Sequence, residues 1–232
     1  PNHEVMKLSR TGHTSWTLTE VDFTDGPYLP TNTTTTTLTP SSAATGSRNI
    51  TASAITGING GVGWLATDVG RIISFNSGKA KITARTSATV AVATVTTAFT
   101  NTDATEAFEL GAFSDTTGHP SCVSFFEQRL VFAGTTDEPQ TLFFSKSGDY
   151  ENMTTGTNAD DAMVYTIASN QVNKIRYLKA VRTLLIGTTG GEFSVSADGT
   201  DAAVTPTNVT IKRQSSFGAA NVDAQPSGNA VL

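Results

Sequence analysis

Charge is scarce in this chain. Asp, Glu, Lys and Arg make up 15% of its 232 residues, and their balance leaves a net charge of −5 with a pI near 5.1. A surface built to hold nucleic acid carries a basic stripe that neutralises phosphates, and this composition argues against one. Cysteine is scarcer still. Cys122 stands alone, which excludes an internal disulfide, a cysteine-based metal site and a disulfide-stapled secreted scaffold. No apolar run reaches the roughly 18 residues that a spanning helix needs, so no membrane anchor is expected. A secretory signal peptide is missing too, and Pro1 is no natural initiator, so the chain is expected to be an excerpt of a longer protein. Leu, Met, Lys and Glu, the good helix formers, are few.

What the chain does have is threonine, valine and 20 glycines, with 38% hydrophobic residues. Thr and Val suit a half-buried pleated surface. A chain this long buries roughly 70% of its unfolded surface, enough for one large domain or two smaller ones. The expected fold class is therefore all-β.

Along the chain, "SWTLTEVDF" alternates apolar and polar residues as a strand does, and Trp16 is expected to be largely buried. "DGPYLP" stops it. The low-complexity "TNTTTTTLTPSSAATGS" reads as a connection between domains. From Arg48 to Leu110 come short strands such as "GRIISF", "GKAKITAR" and "ATVAVATVTT", with a hairpin turn expected at Asn76-Ser77-Gly78. Short strands at this density suggest a small antiparallel barrel, inserted between other elements. The expected division is 1–44 (first strands and Thr-rich linker), 45–112 (small barrel) and 113–232.

The last part repeats itself. "QRLVFAGTTDEPQTLFFS" and "RTLLIGTTGGEFSVS" are two versions of one pattern, with Gly134 and Gly187 in equivalent places. Leu130 to Ala133 matches Leu184 to Ile186, and Leu142 to Ser145 matches Phe193 to Ser196. A tight turn is expected near Glu127-Gln128, and Gly190-Gly191 are expected to supply the positive φ of a second hairpin. Each copy reads as three strands, apolar on both faces and hence covered on both sides. Such meanders, recurring at about fifty residues, are the signature of β-propeller blades. Two blades do not close a ring, and "GNAVL" at the end reads as a strand beginning.

Residues able to do chemistry do not assemble into a motif. His3, His13 and His119 lie far apart, without partners at metal spacing, and no G-x-S-x-G elbow is present. "GINGGVG" and "GTTGG" lack the Lys and Ser/Thr of a phosphate-binding loop. Asp160-Asp161 and Asp198 with Asp201 do not match a calcium loop and read as solvated acids. Glu127, Asp137 and Glu138 sit in or beside predicted turns, a poor basis for a glycosidase pair. Cys122 lies in "CVSFF" and reads as a buried inert thiol. The sequons at Asn32, Asn49, Asn152 and Asn208 are expected by chance in so Thr-rich a chain. The expectation is thus no enzyme, with no catalytic, cofactor-binding or metal residue and no cofactor.

The segment "TTGHPSCVSFFEQRLVFAGTTDEPQTLFFSKSGDYENM", with "IASNQVNKIRYLKAVRTLLIGTTGGEFSV" and "KLSRTGHTSWTLTEVDFTDGPYLPTN", resembles phage and prophage virion proteins related to the tail nozzle, or tail tubular protein B, of short-tailed phages. The middle, "VGRIISFNSGKAKITA" with "FELGAFS", is similar to a small β-module named after the FCCH half-domain of ubiquitin-activating enzymes. Family members often carry Trp where Phe143 and Phe193 stand and Tyr where His119 stands. The resemblance implies a structural protein of the virion, made in the bacterial host cytoplasm. Its partners would be its own copies (a hexamer in the full-length parent), the head–tail adaptor and the tail fibre or spike proteins. Genomic DNA would pass through the tube without specific binding, and an acidic wall suits such a conduit. The alternative from another class is a carbohydrate-binding or adhesive β-module at the tail tip. The Thr-rich bridge and the 151–163 crossover are the expected contact regions.

Overall fold

Alternation of Thr, Val and Ala with polar residues writes strands from end to end, and the chain is all-β, with 45% of it in strands and 3% helical. The computed structural model describes residues 3–168, 172–199, 202–222, 224–227 and 230–231. Contacts divide the chain into two units, one spanning Pro27–Gly118 and the other His3–Gly26 with His119–Leu232. The first is inserted in the sequence of the second.

The chain opens with a hairpin of the larger unit, β1 (Met6–Arg10) and β2 (Trp16–Glu20). Its register pairs Met6 with Glu20, Leu8 with Leu18 and Arg10 with Trp16. Because side chains alternate across a strand, those six share one face, while Lys7, Ser9, Thr17 and Thr19 share the other.

The inserted unit contains β3 (Leu38–Pro40), β4 (Gly46–Ala52), β5 (Ile72–Phe75), β6 (Gly78–Arg85), β7 (Val90–Thr97) and β8 (Phe108–Leu110). They form one antiparallel sheet in the order β3-β4-β7-β6-β5-β8, curled into a half-barrel. Two register shifts in β6 tighten the curl. Ala80, Ala91 and Ala93 face inward, where a tightly curved wall leaves little room, and Trp64, Ile50, Ile73, Ile82 and Phe108 fill the space they leave. The hairpin β5–β6 turns on Asn76 and Ser77, with φ of 45° and 55°, as the sequence suggested. Leu38 and Thr105 exchange backbone hydrogen bonds of 2.9 and 3.1 Å, and Asn32 N–H donates to Phe108 O, so the ends of the sheet are tied down.

The Thr-rich stretch, read from the sequence as a connection, is built into this half-barrel. Asn32 Nδ2 donates to the carbonyls of Thr34, Thr36 and Glu106, and Thr36 Oγ1 accepts from Gly57 N–H at 3.0 Å. Thr36 and Leu38 are buried, and Leu38 opens β3. One asparagine outside the repeat organises it, which composition alone does not reveal.

The second unit continues with β9 (Cys122–Phe126), β10 (Arg129–Ala133), β11 (Thr141–Phe144) and β12 (Met163–Thr166), an antiparallel meander. A second meander follows: β13 (Ile175–Ala180), β14 (Leu184–Thr188), β15 (Gly191–Ser196) and β16 (Thr210–Ser215). The short pair β17 (Pro226–Ser227) and β18 (Ala230–Val231) ends the described chain. The two passages matched in sequence occupy the same strands of their sheets, β10 with β14 and β11 with β15. Each blade-like sheet has four strands, one more than the pattern suggested. "MVYT" and "TIKRQS" supply the fourth, the first too short and the second too polar to stand out as buried strands.

One face of each meander joins a common core in which Val131, Leu142 and Phe144 meet Leu184, Ile186, Phe193 and Val195. Each such side chain contributes roughly 1.5–3 kcal/mol on burial. All four residues of β11 are buried, as a strand covered on both sides requires. On the other face of the first meander, Val123, Phe132, Phe143 and Val164 form one cross-strand row, and the Phe23 ring meets Phe132 edge-on at 5.9 Å.

The turn at Glu127-Gln128 forms as expected, with φ of 46° and 61°. Gly190 and Gly191 do not serve as expected, for neither has a positive φ. They are glycines because neighbours crowd them: a Cβ on Gly190 would lie 2.2 Å from Asn173 Oδ1. Gly134 and Gly187 likewise differ in role. Gly134 has φ of +75°, whereas Gly187 sits inside β14 under the ring of Tyr177.

Candidate functional site

The residues weighed for chemistry are dispersed, and several of them are engaged in structural bonds. His3 and His13 are exposed, and His13 Nδ1 lies 3.1 Å from an Arg10 nitrogen. Glu127 Oε2 accepts from Val204 N–H at 2.6 Å, and Glu138 Oε2 accepts from the Thr141 hydroxyl at 2.8 Å. Asp198 Oδ1 accepts from the Thr210 hydroxyl, and its expected companion Asp201 lies outside the described residues. Among the described residues no three of His, Cys, Asp and Glu gather as metal ligands. Cys122 is buried, with its sulfur 3.9 Å from Ile175 O.

The Asp160-Asp161 pair is divided: Asp160 is exposed, as expected of a solvated acid, while Asp161 is buried. It belongs to a loop closed around Arg129, whose guanidinium is buried at the start of β10. Arg129 donates to the carbonyls of Ser145 (2.7 Å), Asp161 (2.7 Å) and Ala159 (2.5 Å). Burial pulls its pKa below the ordinary value, against the attraction of Asp160, Glu127 and Asp161. Lys146 sits 3.0 Å from Asp161 and 3.9 Å from Asp160. The hydrogen bond from Lys146, with another from Asn158 N–H, holds the Asp161 carboxyl below its usual range. The end of the expected 151–163 crossover is thus tied to Arg129 through backbone carbonyls and to Lys146 through Asp160 and Asp161.

One depression of about 540 Å³ opens at the strand ends of the meander unit, lined by Glu127, Arg182, Thr183 and Ser196 among others. Nothing in the sequence marks it, because its walls come from three separate turns. Among the described residues lining it, Glu127 is the one acid, and it already accepts a backbone amide.

Comparison with protein-family models gives no match, and comparison with curated proteins gives none either. Among the described residues no helix is long and apolar enough to cross a membrane.

What the geometry does offer is exposed apolar surface. Trp16 was expected inside and is 57% exposed. It stands beside Met6, Leu8 and Leu18 on one face of the hairpin, with the Arg10 guanidinium 5.9 Å from its ring centre. The alternation that suggested burial was real, but β1–β2 is a two-stranded sheet of its own. A second patch lies on β9, where Phe125 is 63% exposed and meets Tyr150 edge-on at 5.2 Å, with Val123 in the adjoining place along the strand. A monomer seldom leaves large apolar side chains grouped in water without a use for them.

Proposed function

We propose that this chain is a structural part of a virion, a component of the tail nozzle of a short-tailed phage. It acts through protein–protein assembly as one segment of the conduit for DNA ejection, and not as an enzyme. The observation that carries the reading is the pair of successive four-stranded meanders, matched strand for strand. They form in the very segment whose residues resemble that family, with a small curled sheet inserted ahead of them. The dispersed acids and histidines and the exposed apolar surfaces accord with a role in contacts. Copies of the chain in its full-length parent close a hexameric ring, which meets the head–tail adaptor and the fibre or spike proteins. The net charge of −5 suits a wall past which DNA slides without being held.

The test is direct. Antibody raised against this chain should label the tails of particles of the phage that encodes it, and peptides of the chain should appear in digests of purified virions. A chain absent from purified particles would end this reading.

Exposed Trp16 favours the second reading, a carbohydrate-binding module, more than the sequence led one to expect. Against it, the Arg10 guanidinium lies over one face of Trp16 at 5.9 Å, and Phe125 and Tyr150 are inclined at 81°, so these aromatics do not form one flat platform for a sugar ring. Selective binding on a glycan array would favour this alternative.

A further inference from the structure

We infer that the face of the second meander, β13 to β16, turned away from the core touches the phosphates of double-stranded DNA. The inference rests on the assembly reading above in taking DNA as the polyanion. Between residues 174 and 213 stand Lys174, Arg176, Lys179, Arg182, Lys212 and Arg213, against Glu192, Asp198 and Asp201. The first five cations make no ion pair among the described residues, and Arg213 gives its donors to the carbonyls of Gly190 and Ser215. The net charge of −5 conceals this, because residues 119–168 hold seven acids against Arg129 and Lys146. Cations gathered on one face, with no acid bonded to them, are the electrostatic footprint of a phosphate-binding surface.

The sheet brings three of them to one side. Ile175 and Leu178 both join the core, although three residues apart, because a bulge between Ile175 and Tyr177 interrupts the alternation of β13. Arg176 and Tyr177 therefore both turn to the far face, and Lys179 follows them there. Lys179, Leu185, Ser194 and Lys212 form one row across the four strands. Lys212 is exposed, and Arg176 and Lys179 are half-buried. Cations thus stand on both outer strands, three strand spacings of about 4.8 Å from each other, or roughly 14 Å. That is close to the roughly 12 Å width of the DNA major groove, so β13 and β16 can each meet one backbone. Beside them Gln214 donates to the Ser194 hydroxyl, and amide and hydroxyl side chains are of the kind that contacts phosphate. Glu192 stands in the next row, where the hydroxyls of Ser215 (2.8 Å) and Tyr177 (3.4 Å) answer it. A protein interface centres on apolar anchors, and this row offers Leu185, the neighbouring Tyr177 ring being already laid over Gly187. Three phosphate contacts set against an acidic whole make a touch that salt undoes, which suits a sliding duplex.

The test titrates the whole chain into a fluorescent random-sequence duplex at several salt concentrations, with anisotropy as the readout. Three phosphate contacts predict that affinity falls roughly 40-fold for a fourfold rise in salt. Arg176→Gln, Lys179→Gln and Lys212→Gln together should abolish that dependence. Lys7→Gln, Lys79→Gln and Lys81→Gln remove the same charge elsewhere and should leave the slope unchanged, while Lys179→Arg with Lys212→Arg should bind as the wild type does. Circular dichroism and the emission of buried Trp64 check folding; if the first variant fails, Lys179→Gln with Lys212→Gln takes its place. A control that loses as much as the first variant means that net charge alone acts, and overturns the inference. So does a wild type without salt-dependent binding, or one that binds polyglutamate or phosphatidylglycerol vesicles as tightly as DNA. A chain that binds DNA through this face yet is absent from purified particles keeps the contact and ends the virion reading; a chain present in particles that does not bind does the reverse.

Discussion

Replacing Arg129 with methionine tests how the first meander is held. The side chain keeps much of its aliphatic volume and loses every donor. In the native fold the guanidinium answers the carbonyls of Ser145 and Asp161, both in buried residues, and that of Ala159, which borders solvent. Water can reach the third on loss of the arginine. The first two stay buried, each leaving an unanswered acceptor at about 1–3 kcal/mol. Relief of the desolvated cation offsets part of that, so the expected net loss is about 3 kcal/mol. For a chain of this size it corresponds to a fall of roughly 6–12 °C in Tm. Arg129→Lys should fall between, because an ammonium reaches fewer carbonyls from one point. The assay is thermal unfolding followed by circular dichroism, with hydrogen exchange localising the loss to amides of residues 145–163. If Met at 129 melts within about 1 °C of the wild type, Arg129 does not hold the loop and the reasoning fails.

The Lys146–Asp161 pair gives an acid-side signature. Asp161 titrates below its ordinary value when folded, so its contribution is present above the unfolded pKa and is lost as pH falls through the folded one; Asp161→Asn should flatten the acid limb of a Tm–pH profile. Lys146 is raised, so its share persists below the unfolded value and disappears only as pH rises through the folded one. Gly187→Ala puts a Cβ 2.1 Å from Tyr177 Cε1 and should cost about 1–3 kcal/mol in chemical unfolding, a loss that Tyr177→Ala in the same chain should relieve. The two tryptophans should divide cleanly in iodide quenching: Trp16→Phe removes the quenched fraction of emission, whereas Trp64→Phe removes the protected one.

Much of the fold was legible because strand periodicity is local. The alternation of "ATVAVATVTT", the turn at Asn76-Ser77 and the doubled "LVFA" and "LLI" runs needed no partner to be recognised. The fourth strands escaped because β12 and β16 are defined by the strand beside them. Gly190-Gly191 misled because a glycine serves either a positive φ or a close neighbour, and Asn173 lies outside any local window. The Arg129 loop was invisible for the same reason: its acceptors are backbone carbonyls, which every residue has.

Composition and spacing by themselves determined an all-β chain, a repeated meander and an inserted small sheet, since these follow from side-chain period and turn chemistry. Which side of a strand meets water was settled only by tertiary structure. Trp16 alternates like a core residue and stands in solvent because, among the described residues, its hairpin is a two-stranded sheet of its own. Thr36 reads as low-complexity linker and is buried because Asn32 and Gly57 hold its backbone in place. Burial is a property of what packs against a face, and that is decided by residues far away in the chain.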